Sequence, residues 1–119
     1  MKIARAALII GATIASTLSF AGDADFTLVN KTGYDIREVY VSAANKNNWG
    51  NDRMGSNVLE NNKSRLFKFG DRAACKQDMK VVFDEGDQEV VWPAIDLCDL
   101  EKLTLKYNRS TKEVTALKE

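Results

Sequence analysis

The sequence predicts an all-β fold, an antiparallel β-sandwich of about seven or eight short strands held by one disulfide. Apolar residues recur at every second position in several short runs, as in half-buried strands. Segments rich in Asn, Asp and Gly separate these runs, and frequent turns between short strands are typical of sandwiches and barrels. Two cysteines in the 119-residue chain provide the third observation.

The first 21 residues have the three parts of a secretory signal peptide. Lys2 and Arg5 are positively charged, residues 6–18 are uncharged and mostly apolar, and small residues stand at Ser19 and Ala21. The run is shorter than the roughly 20 apolar residues that cross a bilayer as a helix. We therefore expect a signal peptide at 1–21 and a single β domain at 22–119, periplasmic or secreted, with no membrane span after cleavage.

Seven runs are predicted as strands, at residues 26–29, 36–41, 67–69, 79–83, 88–92, 103–107 and 113–116. The alternation is clearest in the sixth run, where Leu103, Leu105 and Tyr107 alternate with polar residues. The runs 36–41 and 88–92 alternate less cleanly, which indicates strands buried on both faces. Pro93 is expected to close its strand because proline cannot donate to a ladder.

Cys75 and Cys98 are expected to form the disulfide, since an even pair in an exported protein favours one. Closing a loop of this length contributes about 3 kcal/mol to the free energy of unfolding in chain-entropy estimates. The alternative is a redox-active thiol pair. The spacing is not Cys-x-x-Cys and the chain has no histidine to lower a thiol pKa, so the alternative is disfavoured.

Composition excludes some classes of function. Removing the leader takes two of 17 basic residues and none of 17 acidic residues, so a formal charge of zero becomes about −2. Without a basic field, nucleic acid is not an expected partner. The absence of histidine removes the commonest general base and metal ligand, and no cofactor is expected.

Several phrases of the mature chain form a combined pattern: Phe26-Thr27-Leu28-Val29-Asn30, Val39-Tyr40-Val41-Ser42, Trp49-Gly50, Cys75 with Asp78, Trp92, and Asp96-Leu97-Cys98. The pattern resembles a family of small exported bacterial proteins of unknown function, some of which carry the label argininosuccinate lyase. The resemblance implies an exported β domain and supplies no catalytic residues. Lyases of that name are large, mainly helical oligomers with sites shared between subunits, which 98 β-rich residues without histidine do not build.

The long polar loop between the second and third predicted strands is the candidate interaction surface. Its proposed contact residues are Asn47, Asn48, Trp49, Asn51 and Arg53. Tryptophan and asparagine on a loop suit a sugar ring or a protein partner. In the alternative interpretation, Trp49 folds back and plugs one end of the sandwich. Trp92 is expected in the core, and the tyrosines are interpreted as ordinary strand aromatics.

The predicted hairpin at 84–87 carries the weak metal candidates Asp84, Glu85 and Asp87. Carboxylates at a loop tip can hold calcium, although their spacing does not match a known calcium loop. The alternative is a solvated turn that keeps the chain soluble.

The sequence favours a non-enzymatic binding or interaction module that contacts an envelope protein or a glycan. The first alternative is a calcium-binding envelope protein that uses the acidic turn. The second is a small hydrolase, which is disfavoured because no serine has a histidine partner or lies in a Gly-x-Ser-x-Gly motif.

Overall fold

A computed structural model describes residues 23–44, 46 and 48–119, so the predicted signal peptide lies outside the described residues. Within those residues the chain forms seven strands: β1 (Phe26–Lys31), β2 (Ile36–Ala43), β3 (Ser64–Phe67), β4 (Lys76–Phe83), β5 (Glu89–Asp96), β6 (Lys102–Asn108) and β7 (Glu113–Lys118). A short 3₁₀ turn, Leu97–Asp99, follows β5. The strands form a four-stranded sheet of order β3-β1-β6-β7 and a three-stranded sheet of order β2-β4-β5. The predicted all-β sandwich is confirmed.

The inward faces of the two sheets form one hydrophobic core, which follows from the alternation in the sequence. Phe26 and Leu28 of β1 are fully buried, as are Val39 of β2 and Val81 of β4. Their sequence neighbours point to the opposite face, because successive side chains of a strand alternate. Trp92 is half-buried and packs against this core.

One pairing differs from the antiparallel prediction, because β1 and β6 run parallel, with Leu28 opposite Leu103. Parallel neighbours need a long crossover rather than a hairpin. The chain between β1 and β6 contains the whole three-stranded sheet and supplies that crossover. Alternation along a strand carries no information about the direction of its neighbour, so this pairing was not accessible from the sequence.

β5 continues past Pro93, so the expectation that proline closes the strand is wrong. Pro93 and Ala94 lie opposite Asp78 as a bulge, where the register of β4 and β5 shifts. Ala94 has a positive φ of 53°, and its N–H donates to Asp78 Oδ1 at 2.8 Å. Because β5 is an edge strand, the missing N–H of proline is tolerated.

β5 is also not buried on both faces, so that expectation is wrong for this strand. Val91, on the outer face, is 49% exposed. β2 differs, since each of its residues is buried or half-buried. The polar loop that follows β2 covers part of its outer face and its free edge.

The predicted disulfide is confirmed. Cys75 and Cys98 are bonded, with their Cα atoms 5.1 Å apart. The bond joins the residue before β4 to the 3₁₀ turn after β5, and Leu97 N–H donates to the Cys75 carbonyl at 2.8 Å. It therefore closes the end of the three-stranded sheet opposite the β4–β5 turn. Among the described residues, no helix has the length and hydropathy needed to cross a bilayer.

Candidate functional site

Two aromatic rings flank a lysine on the outer face of the three-stranded sheet. Tyr40 of β2 lies opposite Lys80 of β4. Lys80 Nζ is 4.8 Å from the centroid of the Tyr40 ring and 5.4 Å from that of the Trp49 ring. Trp49 is half-buried, but it belongs neither to the core cluster nor to the residues packed against it. We call Tyr40, Trp49 and Lys80 the aromatic platform.

The loop that carries Trp49 is fastened along the free edge of β2. Asp52 Oδ1 accepts hydrogen bonds from Val39 N–H and Met54 N–H, each at 2.9 Å. Arg53 N–H donates to the Val39 carbonyl at 2.8 Å. Met54 is 2% exposed and enters the core, so an apolar anchor accompanies the backbone contacts. The loop segment that follows Trp49 is therefore attached to the sandwich by main-chain hydrogen bonds to β2 and by the buried side chain of Met54.

The segment before these anchors is also tied to β2. Ser42 Oγ donates to the Asn48 carbonyl at 2.6 Å, and Asn48 Oδ1 accepts from Gly50 N–H at 3.1 Å. Gly50 has a φ of 70°, a conformation that side chains disfavour. This turn sets the course of the chain between Trp49 and the Asp52 anchor.

A carboxylate fixes the phenol of the platform. The Tyr40 hydroxyl donates to Glu38 Oε1 at 2.7 Å, and Arg37 Nε donates to Glu38 Oε2 at 3.3 Å. The hydrogen bond to Glu38, aided by desolvation, raises the pKa of Tyr40 to about 12. The hydrogen bond thus holds the Tyr40 phenol in a fixed orientation.

The structure describes four of the five predicted interaction residues. Asn48 and Asn51 are exposed near Trp49, whereas Asn47 lies outside the described residues. The guanidinium of Arg53 lies 4.4 Å from the centroid of the Phe69 ring. Desolvation there lowers the pKa of Arg53. Arg53 therefore has an aromatic partner of its own, while Lys80, which was not predicted from the sequence, lies beside Trp49.

The carboxylates of the turn at 84–87 do not come together as a group of possible metal ligands among the described residues. Arg37 Nη1 donates a hydrogen bond to Asp87 Oδ1, so one of the three predicted metal ligands forms an ion pair with an arginine instead. Among described residues, three potential ligand atoms lie within 4.8 Å of one another at Cys75, Asp96 and Cys98, where both sulfurs belong to the disulfide. Asp84 and Glu85 are exposed and do not join such a group.

A cleft of about 640 Å³ lies between the β4–β5 turn and the β6–β7 turn. Its apolar wall is formed by Tyr34, Phe83, Val90, Tyr107 and Val114, and we call it the tyrosine cleft. The rings of Tyr34 and Tyr107 meet edge to face, with centroids 5.6 Å apart. The volume is within the range of about 300–1,000 Å³ that is common for ligand sites.

The tyrosine cleft was not predicted from the sequence. Tyr34 follows the turn at Gly33, and Tyr107 comes just before the turn after β6. An aromatic residue where a strand meets a turn stands at an end of the sandwich, and two of them on separate strands can line a common opening. The available signal was thus their position next to turns, but only the folded chain brings the two rings together.

Comparisons of this chain with protein-family models, with curated proteins and with solved structures gave no match. The functional proposal therefore depends on the geometry of the chain itself.

Proposed function

We propose that this protein is an exported, non-enzymatic binding module that contacts a protein of the cell envelope through the aromatic platform. The observation that carries the proposal is the position of Trp49. Its ring lies outside the core on the outer face of a sheet, while the backbone around it is fastened to β2. Large aromatic side chains held on a rigid scaffold are frequent anchors of protein interfaces.

The surroundings of the platform favour a protein partner over a glycan. Lys80 lies against both rings, so a sugar would have to displace the ammonium group before stacking. Val91, opposite Lys80 on β5, adds exposed apolar surface. Arg37 and Glu38 supply charged groups beside Tyr40 of the platform. An aromatic and apolar centre with a charged rim is the usual anatomy of a protein interface.

Export is supported by the disulfide and by the predicted leader. Disulfides persist in oxidising compartments and are rare in the cytosol. The bond between Cys75 and Cys98 therefore suits a periplasmic or extracellular protein. The non-enzymatic assignment is supported by the lack of histidine in the whole sequence.

The proposal can be tested by crosslinking the tagged protein in intact cell envelopes, with Trp49→Ala and Lys80→Glu variants beside the wild type. Leu66→Ala is the matched control, because Leu66 is 53% exposed on the four-stranded sheet. We expect a defined protein band with wild type and control that both platform variants lose. Far-ultraviolet circular dichroism and melting temperature confirm folding of each variant.

Two results would contradict the proposal. Identical crosslinked bands for wild type and all three variants would show that the partner contacts a surface other than the platform. Retention of the wild-type protein on envelope polysaccharide, lost in Trp49→Ala, with no crosslinked protein would favour the glycan alternative.

A further inference from the structure

Three asparagines of the chain stand in the pattern Asn-x-Ser/Thr, which is the acceptor motif for N-linked glycans on exported proteins. The triplets begin at Asn30, Asn62 and Asn108. Their middle residues are lysine or arginine, so none has the proline that the motif excludes. Because the motif is short, the position of each side-chain amide in the folded chain decides which one can carry a glycan.

The amide of Asn30 is not accessible in the folded protein. Its side chain is fully buried, and its Nδ2 donates hydrogen bonds to the main-chain carbonyls of Tyr34 and Leu59. A glycan on Nδ2 would replace one of these hydrogens and leave a carbonyl without its partner. It would also need space that a close-packed interior does not provide.

The amide of Asn108 is exposed, but its oxygen holds the turn between β6 and β7. Its Oδ1 accepts hydrogen bonds from Ser110 N–H at 2.8 Å and from Thr111 N–H at 3.2 Å. Ser110 is also the hydroxyl residue of the triplet. A transferase that draws this triplet into its own site would have to break both bonds, which satisfy the main chain of the turn.

The amide of Asn62 is the one that the fold leaves accessible. Asn62 is exposed in the turn before β3, which Lys63 N–H closes by donating to the Glu60 carbonyl at 3.0 Å. Its φ of 71° is a conformation that asparagine tolerates better than most residues. Its Oδ1 accepts a hydrogen bond from the exposed ammonium of Lys31 at 3.2 Å. Within the described chain, no protein group forms a hydrogen bond with Nδ2 of Asn62.

The hydroxyl residue of this triplet lies at an open edge of the sandwich. Ser64 is exposed and is the first residue of β3. β3 is the end strand of its sheet and pairs with β1, and no described strand pairs with its other side. A transferase can therefore approach Asn62 and Ser64 without displacing another strand.

We propose that Asn62 is an N-glycosylation site of the exported protein, an inference that rests on the export in the proposed function. The donor class is an oligosaccharide joined to a membrane lipid through pyrophosphate. Nδ2 bonds to the anomeric carbon of the first sugar as the bond from that carbon to the pyrophosphate oxygen breaks. The lipid pyrophosphate leaves with the electron pair of the broken bond, and the amide nitrogen loses one proton to water.

A glycan at this position has a physical role in the fold. Val58 lines a surface depression together with Glu60 and Lys63 of the turn, and its side chain is 41% exposed. Leu66, four residues after Asn62, is 53% exposed. A bulky polar glycan between them covers this apolar surface and blocks the free edge of β3, where another chain could otherwise pair.

The test is the intact mass of the tagged protein purified from the envelope of its source cells. The variants are Asn62→Gln, Ser64→Ala and Ser64→Thr, and Asn108→Gln is the matched control. Ser64→Thr keeps the hydroxyl that the motif requires, so it separates loss of the acceptor from an effect on the turn. Melting temperatures confirm that each variant is folded.

We expect wild type, Ser64→Thr and Asn108→Gln to exceed the mass of the mature polypeptide by one glycan. Asn62→Gln and Ser64→Ala should have the polypeptide mass alone. Fragmentation of wild type should place the added mass on the peptide that contains Asn62.

Three results would contradict the assignment in different ways. A wild-type chain that has lost its leader and carries no added mass would overturn the modification and leave export standing. A chain that retains its leader would overturn both. Added mass that persists in Asn62→Gln, or that disappears in Asn108→Gln, would overturn the choice of Asn62 as the acceptor.

Discussion

The side-chain amide of Asn30 donates a 2.9 Å hydrogen bond to the main-chain carbonyl of Leu59, 29 residues further along the chain. Its second N–H donates to the Tyr34 carbonyl at 2.7 Å. Its Oδ1 accepts from Thr32 N–H at 3.0 Å and from Thr32 Oγ1 at 2.7 Å. Asn30 is fully buried and uses all four of its hydrogen-bonding positions. It joins the end of β1 to the following turn and to the segment that covers Ile36 on the edge of β2.

Replacing the side-chain amide of Asn30 should lower the stability of the folded protein. We expect Asn30→Ala to lower the free energy of unfolding by about 3 kcal/mol, because buried carbonyl and N–H groups lose their partners. Asn61→Ala is the control, since Asn61 Oδ1 accepts a hydrogen bond from Gly33 N–H in an exposed position. That change should cost less than about 1 kcal/mol. Urea denaturation of both variants tests the difference, and equal losses would contradict the bridging role of Asn30.

The disulfide should be a large contributor to stability in a domain of this size. We expect the double variant Cys75→Ser, Cys98→Ser to lose about 3 kcal/mol of unfolding free energy. The bond closes a loop with a sequence separation of 23, which limits the unfolded chain. Urea denaturation of wild type with a reductant should give the same loss. A loss below about 1 kcal/mol in both experiments would show that the loop is already restricted without the bond.

The bulge in β5 holds Ala94 at a positive φ of 53°. An alanine in this conformation carries a steric cost of about 1–2 kcal/mol that glycine avoids. Glycine has a larger entropy loss on folding, so we expect Ala94→Gly to raise the free energy of unfolding by up to about 1 kcal/mol. Ala116→Gly in β7 is the control, and it should lower stability by about 0.5–1 kcal/mol. A decrease for both variants in urea denaturation would contradict this assignment.

The phenol of Tyr40 should lose its proton at a higher pH than an ordinary tyrosine. Its pKa is raised to about 12 in the folded protein by the hydrogen bond to the Glu38 carboxylate. Because the folded pKa lies above the ordinary value of about 10, the contribution to stability is complete below pH ~10 and is lost as pH rises toward ~12. We expect Glu38→Gln to lower the pKa, as followed by phenolate absorbance.

Tyr40→Phe is the control for this titration, since it removes the phenol and keeps the ring. The late absorbance change should disappear in Tyr40→Phe and move to lower pH in Glu38→Gln. A late change that persists in Tyr40→Phe would assign the titration to another tyrosine.

Local sequence patterns were sufficient for the disulfide and for most of the strands, although β3 (Ser64–Phe67) ends where the predicted run 67–69 begins. Leu103 and Leu105 alternate with lysine and threonine, and both lie in the core. Residues two positions apart in a strand point to the same face, so the alternation predicts which side is buried. Cys75 and Cys98 had only each other as partners. The loop bearing Trp49 was likewise located from its composition, although Lys80 beside it was not.

Contacts between distant segments decided the rest. The parallel pairing of β1 with β6 and the passage of β5 through Pro93 depend on which strands become neighbours and which become edges. The burial of Asn30, which looks like an ordinary turn residue, depends on carbonyls from two other segments. Sequence by itself determined which side of each strand is apolar, a property of adjacent residues. Only the tertiary structure decided what each surface meets, because pairing and packing join residues that the chain order keeps far apart.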